Sequence, residues 1–207
     1  MTINKRGRPR DPERMKRVLE AAAEQFIEHG FAQASVEAIA KLSGISKVTI
    51  YSYFPTKEAL FEAAVGICTD TVFASLPPGA LDPNNPEAAL TMIGTSFLKL
   101  KRSDDAAGAF RMMYASAGVH VDACEAFYRQ GPAKLFQQVA EYLRAANAAG
   151  SLSISSPDEA ADQFLALFLG VAHIRVLLGL GKPKASEDAN LVRSNVALFI
   201  RAFRGKA

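Results

Sequence analysis

The stretch Ala34–Phe61, ASVEAIAKLSGISKVTIYSYFPTKEALF, permits few folds. It contains two short helical patterns separated by a tight turn at Ser43-Gly44-Ile45. Ser35 precedes the first pattern, where its hydroxyl can accept one of the orphan N–H groups of a helix start. Val36, Ile39 and Ala40 recur at i, i+3 and i+4 and make one face apolar. Gly44 stands where this helix must stop, because glycine accepts the left-handed conformation that ends helices. Ser46 caps a second helix of about two turns, closed by Pro55, which biases Phe54 away from helix.

The second helix has two unlike faces. Ile50 and Phe54 are four apart and point inward with Ile45, while Lys47, Val48, Tyr51 and Ser52 fall on the opposite side. A cation, a methyl-bearing side chain, a phenol and a hydroxyl can together address phosphates and base edges in a major groove, with Val48 suited to a thymine methyl. This is the pattern of a helix-turn-helix whose second helix reads DNA. An ordinary αα-hairpin with a solvated face satisfies the same spacing.

The run Ile45-Ser46-Lys47-Val48-Thr49-Ile50-Tyr51-Ser52-Tyr53-Phe54-Pro55-Thr56-Lys57-Glu58-Ala59-Leu60-Phe61 resembles the signature of the TetR/AcrR family of bacterial one-component regulators. The likeness extends upstream through Val18–Phe26, Gly30-Phe31 and Val36–Ala40, about the first third of the chain. It implies DNA contacts at Ser35, Lys47, Val48, Thr49, Tyr51, Ser52, Tyr53 and Lys57. Base-reading positions vary within that family, so Thr49, Tyr51 and Lys57 follow from it more directly than Lys47, Val48 and Ser52.

Charge is concentrated where such a surface would lie. Met1–Arg17 carries seven Lys/Arg against two acids, and the remaining residues carry 17 basic and 19 acidic side chains. A basic segment beside a reader helix fits a phosphate footprint. Within it, Lys5-Arg6-Gly7-Arg8-Pro9-Arg10 resembles the core of AT-hook segments. That resemblance implies Arg6 and Arg8 in a narrow A·T minor groove; a solvated tail is the competing reading. No apolar run follows the basic start, which argues against a secretory leader. Cys68 and Cys124, the two cysteines, are far apart and have no metal-ligand spacing, so buried thiols in a reducing cytoplasm are expected.

The 207 residues are enough to bury a core, and the rest of the chain reads as capped helices without strand alternation. Asp11-Pro12-Glu13 opens a first helix with Met15, Val18, Leu19, Ala22 and Phe26 inward, ending near His29-Gly30. A bridging helix runs from Thr56 to about Ser75, and Leu76–Asn85 is a Pro- and Asn-rich loop. Helices then open at Asn85 and at Ser103, the latter with Phe110, Met113, Tyr114 and Ala117 on one face. Another opens at the capping-box pair Asp122 and Glu125 and should kink or break at Gly131-Pro132. Ser156-Pro157-Asp158-Glu159 introduces an apolar run, Phe164–Leu180, expected as one helix buried on several sides. A final helix follows over about Glu187–Arg204. The apolar run is short for a membrane span and contains His173 and Arg175.

The expected fold is all-α, a three-helix helix-turn-helix head plus a larger helical body. Its parts are an arm at 1–10, a DNA-binding domain at 11–55 and a ligand-binding and dimerisation domain at 56–207. Excess apolar surface on the last two helices points to a homodimer seam. Phe127–Pro132 and Ala160–Leu180 are similar, more loosely, to the C-terminal domain of AefR-like regulators. By resemblance, the body should hold a small-molecule effector; candidate walls are Phe97, Phe110, Met113, Tyr114, Phe127, Phe164 and Phe168, with His173 and Arg175 as polar anchors. Each of these side chains is also compatible with plain core. No metal or other cofactor is expected, and the scattered histidines and missing phosphate loop argue against an enzyme. The expected activity is that of a cytoplasmic homodimeric repressor on a pseudo-palindromic DNA operator. A sequence-tolerant architectural DNA-binding dimer is the alternative.

Overall fold

The computed structural model describes residues 12–74, 76–77 and 79–204, apart from the side chains of 67–71 and 74. Arg6, Arg8 and the Cys68 side chain lie outside the described residues. Helices account for the described architecture, with one isolated bridge between Leu152 and Arg204.

The head comprises α1 (Pro12–Gln33), α2 (Val36–Ser43) and α3 (Lys47–Tyr53). Helix α1 passes its expected stop: Gly30 leaves the helical region at φ 76° and ψ 164°, and a final turn continues to Gln33. The Ser35 hydroxyl accepts the Ala38 N–H at 3.1 Å, and Gly44 ends α2 in the left-handed region at φ 68° and ψ 20°. Helices as short as α2 and α3 have little stability alone. They are held because Val36, Ile39, Ile45 and Ile50 bury against Val18, Leu19, Ala22 and Phe26 of α1. Each large apolar side chain so buried contributes up to about 1.5–3 kcal/mol.

The body comprises α4 (Lys57–Ala74), α5 (Pro86–Lys101), α6 (Asp104–Ser116), α7 (Val121–Tyr128), α8 (Lys134–Ala148), α9 (Pro157–Ala166), α10 (Val171–Leu177) and α11 (Ala185–Phe203). Two apolar cores are present. One joins α5, α8, α9 and α11 around Phe97, Leu143, Phe164 and Phe199. The other begins in the head and runs through Leu60, Phe61 and Ala64 of α4 into Met112, Met113, Ala126 and Phe127. Packing is therefore continuous across the sequence boundary at residues 55 and 56. At the far side of the body, Arg102 pins α5 to α11 through Asp188, with Nη2 3.1 Å from Oδ1.

Four expectations are corrected. First, Asp122 and Glu125 form no capping box: the cap position is His120, two residues earlier, and α7 starts at Val121, because a turn closed by the His120 N–H on the Ser116 carbonyl at 3.0 Å delivers the chain there. Second, Gly131-Pro132 does not break that helix; α7 passes into α8 through a π-turn, Arg129–Ala133, an irregularity of the kind that kinks a helix. The wider turn accommodates a proline, which lacks an N–H and would clash with the preceding α-helical carbonyl. Third, the Phe164–Leu180 run is not one helix. It breaks after α9 and resumes as α10 at 66°. Phe168 turns into the core against Phe97 and Phe164, with centroids 6.0 and 5.2 Å away, and Asn195 donates to the freed Leu167 carbonyl at 2.9 Å. Among the described residues no single helix is long and apolar enough to cross a membrane. Fourth, the inward stripe of α6 is rotated: Ala107, Gly108, Met112 and Met113 are buried, whereas Tyr114 is 64% exposed.

The rotation of α6 follows from its contact with α1. A Cβ placed on Gly108 would sit 2.6 Å from Ile27 Cγ2, so the helices approach as closely as a glycine allows. Overpacking here should cost about 1–3 kcal/mol, against about 1 kcal/mol gained from replacing glycine in a helix. Gly108→Ala should therefore lower stability by up to about 2 kcal/mol, and added Ile27→Ala should recover part of that loss in a double-mutant cycle read by urea unfolding.

Candidate nucleic-acid interface and effector cavity

Helix α3 is fixed at both ends. The Ser46 hydroxyl accepts the Thr49 N–H at 3.2 Å and lies 2.8 Å from the Thr49 hydroxyl. The Phe54 N–H donates to the Ile50 carbonyl at 2.9 Å, closing the last turn. Ile50 faces inward, and the outer side presents Lys47, Val48, Tyr51 and Ser52. Val48 is 82% exposed and Tyr51 38%, so neither side chain is used up by the fold that carries it.

The polar groups of this surface already have local partners. Lys47 pairs with Glu37 of α2 and lies 5.8 Å from the centroid of the Tyr51 ring. Its hydrogen bond holds the Glu37 carboxyl below the ordinary carboxylate range and raises the Lys47 ammonium. Both groups are exposed, so the pair is weak and a phosphate can replace the carboxylate. Ser52 donates to the Thr49 carbonyl at 2.6 Å. Ser35 accepts its cap bond and keeps its hydroxyl proton to donate. Tyr53 is half-buried at the end of the helix.

Lys57 differs from the others. Its ammonium donates to the Ala32 carbonyl at 3.0 Å and stands 4.9 Å from the Phe31 ring centroid. Burial lowers its pKa, opposed by the Glu58 charge. This side chain bolts the start of α4 to the end of α1, and only its remaining N–H groups are available to a phosphate. Glu37, which restrains Lys47, carried no signal in the sequence because the pair joins two helices.

A second site lies where head and body meet. A cavity of about 70 Å³ is bounded by Ala23, Phe26 and Ile27 of α1, Phe61 and Val65 of α4, Lys101, Phe110 and Met112, and Phe127, Pro132 and Leu135. A wider groove of about 510 Å³ adjoins it and shares Lys101, Pro132 and Leu135.

The expected effector residues are divided among these places. Phe110 and Phe127 line the cavity edge to face, with centroids 5.1 Å apart. Met113 is buried behind it, and Met112 takes the lining position. Phe97 lines the groove. Phe164 and Phe168 are core, packed against Phe199 and Phe97 respectively. Tyr114 faces solvent. Arg175 is exposed and donates to the Leu180 carbonyl at 2.9 Å. His173 is buried, with Nδ1 unpartnered. Sequence reasoning missed Lys101, although it lies four after Phe97 on the stripe of Leu90 and Ile93.

Residues 88–205 match the family model described as AefR-like transcriptional repressor, C-terminal domain, and residues 18–64 match bacterial regulatory proteins, tetR family. The chain belongs to the TetR family and is a DNA-binding transcriptional regulator rather than an enzyme. The HTH-type transcriptional regulator RutR of Escherichia coli (strain K12) is 39% identical over 75 residues, covering 36% of this chain. The chain spans about a third of the length of the curated relatives it matches, 35% for RutR. Whole-chain likeness comes from solved structures. The flavonoid-responsive regulator FrrA superposes with a TM-score of 0.73 at 29% identity, covering 95% of this chain and 100% of that one. A TetR-family regulator from Mesorhizobium loti MAFF303099 has a TM-score of 0.78 at 20% identity with the same coverage, a likeness of fold.

The environment of His173 sets a pH response. Burial first, and then the Lys101 and Arg102 charges, lower its pKa from the ordinary 6.5 to about 4. The unfolded chain therefore binds the proton more readily, and stability falls as pH drops from about 6.5 towards 4. Thermal melts from pH 7 to 5 should show this decline, and His173→Gln should make the profile shallower.

Proposed function

We propose that the protein is a homodimeric, cytoplasmic repressor that occupies a pseudo-palindromic operator and leaves it when a small apolar or aromatic effector binds. The functional division is an arm at 1–10, a DNA-binding domain at 11–55 and a ligand-binding and dimerisation domain at 56–207. Operator contacts are Ser35, Lys47, Val48, Thr49, Tyr51, Ser52, Tyr53 and Lys57, with Arg6 and Arg8 in flanking minor grooves.

The observation that carries this reading is the shared cavity. Head helix α1 forms one of its walls, so an effector lodged there touches the DNA-binding head itself. A cavity of about 70 Å³ is far below the roughly 300–1,000 Å³ usual for ligand sites. An effector must therefore widen it, and the walls that yield include α1 and α4. A second link runs through the π-turn: Gln130 donates to Glu62 of α4 at 2.7 Å, and Arg129 lies 2.9 Å from the same carboxylate. FrrA, described as flavonoid-responsive and similar across 95% of this chain, favours a planar aromatic compound. The effector walls are then Phe110 and Phe127, with Met113 behind them and Phe97 towards the groove.

Dimerisation supplies the second reader. Val171, Ile174, Leu178 and Leu180 in and after α10, and Leu198 on α11, are exposed apolar side chains. Pairing through this end would set two copies of α3 about 34–36 Å apart, one turn of DNA.

Selection from random duplexes should return an inverted repeat, and the purified chain should be dimeric by light scattering. A collection of unrelated sequences would favour the architectural reading instead. Val48→Ala should cost about 1–3 kcal/mol on the selected site and relax preference at one base pair, as measured by competition binding. Removing residues 1–9 should lower the slope of log affinity against log salt. An effector coupling of about 1–3 kcal/mol would lower operator affinity about 5–150-fold.

A further inference from the structure

Lys101 is the last residue of α5 and is 8% exposed. Its ammonium stands 3.6 Å from the Phe110 ring centroid and 5.3 Å from that of Phe97. No hydrogen bond or ion pair links it to any described residue; its neighbour Arg102 takes Asp188, and Asp104 pairs with Lys182. Ring faces attract a cation, but they replace only part of the hydration that a buried ammonium loses. Burial lowers its pKa to about 8, which leaves it charged in most molecules at neutral pH.

The position of this charge is informative. Lys101 shares with Pro132 and Leu135 the boundary between the inner cavity and the outer groove. The ammonium thus stands at a throat. Inward of it the surface is almost wholly apolar, made by Phe110, Phe127, Ile27 and Met112. Asp105 is exposed at the outer margin of the cavity. On the groove side, Asp158 is paired with Arg144 at 2.6 Å, and Glu159 and Asp162 are exposed on the rim, where water screens them.

A cation with no counter-ion among the described residues, at the mouth of an apolar chamber, is a poor device for holding the protein together and a good one for choosing a ligand. A neutral hydrocarbon would leave the ammonium as costly as before. A dianion such as a phosphate ester would leave a charge unpaired, because among the described residues no second cation lines the cavity. We propose that the effector is a monoanionic amphiphile, an aromatic or short-chain carboxylate whose carboxylate pairs with Lys101 Nζ at the throat while its apolar body enters the cavity beneath α1. This rests on the effector reading above and names the chemical class.

The charge also supplies direction. With its carboxylate held at Lys101, the ligand's apolar body lies along Phe110, Phe127 and Ile27. Ile27 of α1 is already in close contact with Gly108 of α6. Filling the chamber therefore presses on α1 at a point where that helix is tightly packed.

The test uses the full chain, with trans-cinnamate and octanoate as probes and their amides as uncharged counterparts of equal shape. Binding is measured by calorimetry, and release is measured from DNA selected out of random duplexes. The wild type should bind each carboxylate about tenfold or more tighter than its amide, as expected for a charge-assisted hydrogen bond. Lys101→Met should lose that preference and, freed of a buried charge, melt at a higher temperature without ligand. Lys101→Arg should keep the preference, which separates charge from packing. Equal binding of acids and amides by the wild type, a preference that persists in Lys101→Met, or no binding of either acid at millimolar concentration would overturn the proposal. Amides that release DNA as well as acids would overturn the anion site and leave the effector reading standing. Acids that bind with the stated preference yet leave DNA bound would support the anion site and overturn the effector reading.

Discussion

Three aromatic rings at the junction of α1 and α4 carry the rest of the molecule. Phe61 meets Phe26 edge to face at 5.0 Å and Phe31 at 5.3 Å, and Phe26 and Phe31 lie 5.9 Å apart. Phe26 and Phe61 are almost wholly buried, and such pairs contribute about 0.5–1.5 kcal/mol beyond the area they bury. Lys57 crosses the same junction to reach the Ala32 carbonyl. Helices α2 and α3 are too short to orient themselves, so the reader inherits its direction from this joint through Ile39, Ile45 and Ile50.

The same joint explains why a cavity beside it matters. Protein interiors are close-packed and transmit displacement instead of absorbing it. Phe26 and Phe61 are both cavity walls and members of the ring cluster. Any displacement of Phe26 or Phe61 at the chamber wall would reach the element that aims α3, or the one that braces it. The π-turn adds a second route, since Pro132 is a wall while Gln130 and Arg129 hold α4. A proline that would be costly in a regular helix is accommodated where one irregular turn faces both the cavity and the bridging helix.

Legibility followed the range of the forces involved. Caps at Ser35, Ser46, Asn85 and Ser103 were readable because each acts over three residues, and all four side chains accept the expected N–H. The outer face of α3 was readable because helical geometry alone separates Ile50 from Val48. Cavity walls were not readable on the same terms. Phe164, Phe168, Phe110 and Phe127 look alike along the chain, yet two fill core and two face empty space. The α6 stripe was misread for a related reason: its tightest contact is made by its smallest residue, Gly108, which a count of large apolar side chains passes over.

By itself, the sequence determined the helical class, the head with its turn at Gly44, and the chemistry offered by α3, because hydrogen bonding and periodicity within a helix are local. Only the tertiary structure decided that Phe168 breaks a long apolar run, that Lys57 is a bolt as well as a surface cation, and that Lys101 points inward with two rings and no counter-ion among the described residues. Those outcomes depend on which helices share a given volume. Close packing settles that between residues far apart in the chain, and no local rule encodes it.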